Sequence, residues 1–196
     1  FVEAEAARSL GKLKLPDTLP LLEKMTERPS FQDVIAAGAI DGMAESLAPE
    51  AWALVAPKVA YGRPPFVRRA AAAALGKLAE PAQKKAEAID ALTSLLRDKL
   101  FRVQMAAFDG VRSLGDRRLI PALESTPFLD GRAVRAAKDT AAALREGEPQ
   151  AKEVTSLRDD LDKLKDETRR LKERLEGLES GKKPRKTAKR APRRKR

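Results

Sequence analysis

The 196 residues include no cysteine and no histidine. Disulfides, thiol chemistry and imidazole metal ligation are therefore excluded for this chain. Aromatic side chains are scarce at 4%, with a single Trp and a single Tyr. That poverty suits a thin stack of helices better than a thick globular core. No apolar run approaches the roughly 20 residues that a membrane-spanning helix needs. The chain starts at Phe1 inside a helical pattern, which reads as the C-terminal piece of a longer protein. A signal peptide would then lie outside it, and a cytoplasmic setting is the expectation.

What is abundant is Ala and Leu at helical spacing. In Phe66–Glu80, FVRRAAAAALGKLAE, the apolar residues Val67, Ala70, Ala71, Ala74, Leu75 and Leu78 fall at offsets 0, +3, +4, +7, +8 and +11. They form one stripe down an α-helix. The same offsets from Val2 give Glu5, Ala6, Ser9, Leu10 and Leu13. From Gln32 they give Ile35, Ala36, Ala39, Ile40 and Met43; from Val103, Ala106, Ala107, Gly110, Val111 and Leu114. From Ala133 a weaker series gives Ala136, Ala137, Thr140, Ala141 and Leu144. Recurrence of one face every 30 to 36 residues marks a repeat protein. Each of the first four stripes is followed by a turn and a second apolar stretch: Leu19, Leu21, Leu22 and Met25; Trp52, Leu54, Val55 and Val59; Ile89, Leu92, Leu95 and Leu96; Leu119, Ile120 and Leu123. Asp17 is a candidate N-cap for the first of these. The expected architecture is all-α: a right-handed α-solenoid of about five hairpins over 1–148, the first truncated. Trp52 and Tyr61 are expected to anchor the second turn.

V-R-R-A-A-A-A-A-L-G-K-L at 67–78, with Leu114-Gly115-Asp116 closing the fourth stripe, resembles the HEAT repeat family over about residues 1–146. That resemblance implies a protein-binding scaffold and says almost nothing about activity. A narrower resemblance is to the HEAT-like region that follows the peptidase in bacterial M1 (aminopeptidase N-like) metallopeptidases. It rests on SFQDVIAAGAIDG at 30–42, Tyr61-Gly62-Arg63-Pro64 and Arg68-Arg69-Ala70-Ala71. It implies a zinc metalloaminopeptidase as the parent, with zinc and catalytic residues outside this chain, because H-E-x-x-H cannot be written without histidine.

Beyond Pro149, over 149–180, Val154, Leu157, Leu161, Leu164, Thr168, Leu171, Leu175 and Leu178 are spaced alternately 3 and 4, a heptad seam with Leu at every d position. The flanking g–e pairs across a parallel dimer are Glu153–Arg158, Asp160–Lys165, Glu167–Lys172 and Arg174–Glu179. All four are opposite in sign, which favours a parallel homodimer over the alternative, an amphipathic helix capping the last repeat. Each exposed pair contributes only about 0.2–1 kcal/mol, so charge selects partner and orientation.

The net charge of +11 sits almost wholly in the tail, 181–196. Lys182, Lys183, Arg185, Lys186, Lys189, Arg190, Arg193, Arg194, Lys195 and Arg196 supply ten positive charges with no acid among them, leaving residues 1–180 near neutral. Two prolines and no aliphatic side chain larger than Ala give a segment expected to be disordered. It is a candidate for non-specific contact with nucleic acid or an anionic membrane, although it has no aromatic to stack on bases.

No catalytic set emerges. Asp33 and Asp41 share a helix side without forming a pair, and Ser and Thr have no histidine to activate them. Gly11-Lys12 and Gly76-Lys77 lie inside helices without a phosphate-loop frame, so the glycines point to tight packing or an early helix stop. Arg68 and Arg69 read as solvent-facing, with contact to an acidic partner as the sharper alternative. No cofactor is expected in this chain.

Overall fold

In the computed structural model the chain divides into two units, Phe1–Glu148 and Pro149–Arg196. The structure describes residues 1–15 and 17–147, and of the second unit only Lys165, Thr168, Arg169 and Lys172, which are helical and exposed. The first unit contains α1 (Val2–Lys12), α2 (Thr18–Thr26), α3 (Val34–Ser46), α4 (Ala51–Val55), α5 (Pro65–Leu78), α6 (Lys85–Leu95), α7 (Phe101–Leu114) and α8 (Ile120–Ser125). A ninth helix, α9, covers 131–147. No strand occurs among the described residues.

The punctuation of the chain places these elements. Pro65 begins α5, where a missing N–H is free of cost and the fixed φ is already helical. Gly115 ends α7 at φ +67, donating its N–H to the Val111 carbonyl, the left-handed stop that glycine adopts without a Cβ penalty. Asp116 then accepts from the Arg118 N–H at 2.9 Å and starts a short 3-10 turn, Arg117–Leu119, which leads into α8. At α2 the sequence expectation needs correction. Asp17 occupies the N-cap position but its side chain caps nothing; instead the Thr18 hydroxyl donates to the Leu15 carbonyl at 2.7 Å.

Helices α1, α3, α5 and α7 lie side by side in one layer, each against the next, while α2, α4 with the 3-10 segment Ala56–Val59, and α6 pack behind them. Helix α9 extends this stack beyond α7: Arg112 Nη1 donates to Thr140 Oγ1 at 3.3 Å and Arg117 Nε to the Leu144 carbonyl at 3.2 Å. The stripe of α5 is buried as the periodicity predicts, with Val67, Ala70, Ala71, Ala74, Leu75 and Leu78 all inside. The larger core residues come from both layers, among them Leu22, Ile40, Met43, Leu92, Leu96 and Phe108.

Two glycine crossings set the closest approaches. A Cβ on Gly76 would lie 1.9 Å from the Gly110 carbonyl oxygen, and one on Gly11 would lie 1.9 Å from that of Gly42. Backbones at such crossings touch directly, so only hydrogen fits between them. The glycines of the two Gly-Lys pairs thus serve tight packing.

Candidate functional site

Side chains of the first layer that point away from the second form rows of charge. On α1, Arg8 Nε donates to Asp41 Oδ2 of α3 at 2.9 Å and Arg8 Nη1 to Glu5 Oε2 at 2.8 Å. The Asp41 bond, then that to Glu5, raises the Arg8 pKa above its ordinary value. On α5, Lys77 Nζ reaches back to Glu45 Oε1 at 2.5 Å, and this bond holds the Glu45 carboxyl below the usual carboxylate range. Between these rows lie two adjoining shallow hollows. One, of about 220 Å³, is lined by Arg8, Lys12, Asp41, Glu45 and Lys77. The other, of about 460 Å³, is lined by Asp41, Arg69, Phe101, Arg102, Met105 and Asp109.

The larger hollow has an uneven charge balance. Asp41 is already paired with Arg8, and Asp109 with Arg112. Arg69 and Arg102 have no ion pair among the described residues; both guanidinium carbons sit 5.5 Å from the centre of the Phe66 ring. Arg132 stacks over Phe101 at 4.3 Å and is paired with Asp130 at 2.8 Å. Arg132 holds the Asp130 carboxyl down to about 2. An aromatic face orients a guanidinium and leaves its N–H fork exposed. Arg69 and Arg102 therefore present two cations over an apolar floor of Phe101 and Met105.

Arg68 corrects the sequence reading. It is 4% exposed, ion-paired with Asp98, and donates from Nε to the Val59 carbonyl at 3.0 Å. The neighbouring copy repeats the device with a neutral side chain: Gln104 Nε2 donates to the Leu96 carbonyl at 2.7 Å. Arg68 is thus structural, and Arg69 alone of the pair faces outward. Tyr61 is not an anchor either; it is 83% exposed, while Trp52 is buried as expected.

The proposed dimer seam and the tail lie almost wholly outside the described residues. Thr168 of the seam and Lys165 and Lys172 of the flanking pairs are described as helical and exposed. Val154, Leu157, Leu161, Leu164, Leu171, Leu175, Leu178, the remaining charge-pair residues and the cations of 182–196 are not described. Nothing in the sequence marked Arg69 and Arg102 as a set. Their link is Phe66, and each cation is one residue type in a chain rich in both signs.

The described residues of the first unit thus form stacked helical hairpins that carry a two-signed charged face. Residues 58–145 match the family model for HEAT repeats, a span that runs from the 3-10 segment before α5 into α9. HEAT repeats generally mediate contacts between proteins. No curated protein matches the chain, and the M1 metallopeptidase resemblance has no support in these comparisons.

Proposed function

We propose that the chain is a non-catalytic protein-interaction module that recognises an acidic segment of a partner protein at the Arg69–Arg102 hollow. The observation that carries this reading is the pair of unneutralised guanidiniums beside two aspartates that are already paired elsewhere. Two carboxylates spaced to meet the forks would gain charge-assisted hydrogen bonds, and an adjacent apolar side chain would rest on Phe101 and Met105. The test is affinity capture by the full chain and by its Arg69→Glu/Arg102→Glu variant. A protein retained by the first and lost by the second supports the reading, whereas identical captured sets sink it.

The helix over 149–180 is proposed to pair two copies in parallel through the heptad seam, doubling the surface offered to a bivalent partner. A second reading is favoured by the location of charge: the ten cations of 182–196 give a polyanion contact of the counterion-release kind. Filter binding of DNA and RNA at low salt decides that point, since absence of affinity there removes it.

A further inference from the structure

Four connections run from the second layer back to the first: 27–33, 60–64, 96–100 and 126–130. They lie together along one edge of the first unit. Arg68 ties the Val59 carbonyl to Asp98, and a hollow of about 450 Å³ is lined by Arg97, Lys99, Leu129 and Asp130. The 3-10 turn Phe31–Asp33 packs against α5. Each connection carries a large apolar side chain out into solvent: Phe31 at 77% exposure, Tyr61, Leu100 and the wholly exposed Leu129. Beyond the first hairpin, the described residues expose one other side chain of this kind, Leu47, between α3 and α4 on the opposite edge. Phe31 is held outward by its backbone. Ser30 Oγ accepts from the Ile35 N–H at 3.1 Å, and Gln32 and Asp33 adopt φ of 51 and 52, a left-handed conformation that residues with a Cβ rarely take.

Charge along this edge leans to one sign. Of its acids, Asp98 is paired with Arg68, Asp130 with Arg132 and Glu27 with Lys58. Asp33 has no ion pair among the described residues. Of its cations, Arg28 is paired with Glu3, while Arg63, Arg97 and Lys99 have no ion pair among the described residues. We infer that this edge docks on an anionic bilayer, the four apolar tips entering the headgroup layer and the three open cations meeting lipid phosphates and carboxylates. The layout of the patch selects that occupant. A protein partner covers a contiguous, closely packed apolar centre, whereas these tips stand one per loop, about 8–10 Å apart at the spacing of packed helices. A bilayer interface takes up such separated points one at a time, and cations beside them are drawn to the anionic leaflet. The contact differs from counterion release by the basic tail, because here apolar side chains must leave water.

The test is co-sedimentation of the full chain with vesicles of equal parts phosphatidylserine and phosphatidylcholine. Binding is expected, weakened about fivefold by Arg63→Gln or Lys99→Gln and at least about tenfold by Phe31→Ser/Leu129→Ser, with unchanged thermal midpoints because these side chains are already solvated. Insertion has its own signature. Trp52 is buried and gives a constant background. On vesicle binding the fluorescence of Leu129→Trp is expected to shift to shorter wavelength and to be quenched by brominated lipid. That of Ser113→Trp, at an exposed position near the far end of α7, is expected to do neither. Absence of vesicle binding overturns the inference. So does binding that Phe31→Ser/Leu129→Ser leaves intact, or equal quenching of Leu129→Trp and Ser113→Trp, since the tail alone would then hold the chain on the vesicle and leave the edge to a protein partner.

Discussion

Replacing Gly76 with Ala sets two effects against each other, and the structure decides the sign. Helix propensity favours Ala by about 1 kcal/mol. The new Cβ, however, would stand 1.9 Å from the Gly110 carbonyl oxygen, against an ordinary contact of 3.4 Å. The obstacle is backbone on a neighbouring helix, so α5 and α7 must part by about 1.5 Å at that crossing. Overpacking of a core costs about 1–3 kcal/mol, and a shift of this size also thins the contacts of fully buried Leu75, Leu78 and Phe108 along the seam. The expected net effect is a loss of about 2 kcal/mol. At roughly 2–4 °C per kcal/mol for a unit of this size, the thermal midpoint followed by circular dichroism falls by about 4–8 °C. Gly131→Ala is the control, because its Cβ would meet nothing within 4 Å; its midpoint holds or rises slightly. A Gly76→Ala protein as stable as the parent would refute the close crossing of α5 and α7.

Other expectations follow from named contacts. Asp98→Ala strands the Arg68 guanidinium in the interior and is expected to cost about 3–5 kcal/mol in urea unfolding, with much of the loss recovered in Arg68→Met/Asp98→Leu. Glu45, held low by Lys77, stabilises the folded chain above its ordinary pKa and loses that contribution as pH falls below about 4.5. The pair is part-exposed, so Glu45→Gln should flatten the acid limb of the stability profile by only about 0.2–1 kcal/mol. Leu164→Asp/Leu171→Asp in the full chain is expected to halve the sedimenting mass of a dimer; an unchanged mass in both proteins removes the coiled-coil reading.

The stripe of α5 was legible because Val67 to Leu78 keep helical spacing and every flank finds a neighbour. The stripe of α1 was equally legible as a pattern, yet its fate was not. Periodicity tells which residues share a face, while exposure of Val2 and Leu13 depends on whether a neighbour is there. Arg68 was misread for a related reason. A charged residue in the first turn of a helix looks solvated, and its partner Asp98 lies 30 residues away in a loop with no local pattern to announce it. The Gly-Lys glycines could be read as packing residues, but not paired. Gly76 meets Gly110, which falls at the Ala74 level of its own stripe, so repeat alignment alone points to the wrong contact. The Arg69–Arg102 hollow was out of reach because it depends on which acids are already taken.

The claim beneath all of this is that each first-layer helix is held by its neighbours in that layer, where among the described residues α1 meets α3 and α5 meets both α3 and α7. Residue-resolved amide hydrogen exchange on the full chain tests it most directly. Protection should peak in α5 and α7 and fall markedly in α1, although α1 and α5 carry apolar stripes of the same spacing. Equal protection of the Leu10–Gly11 and Leu75–Gly76 amides would contradict the account.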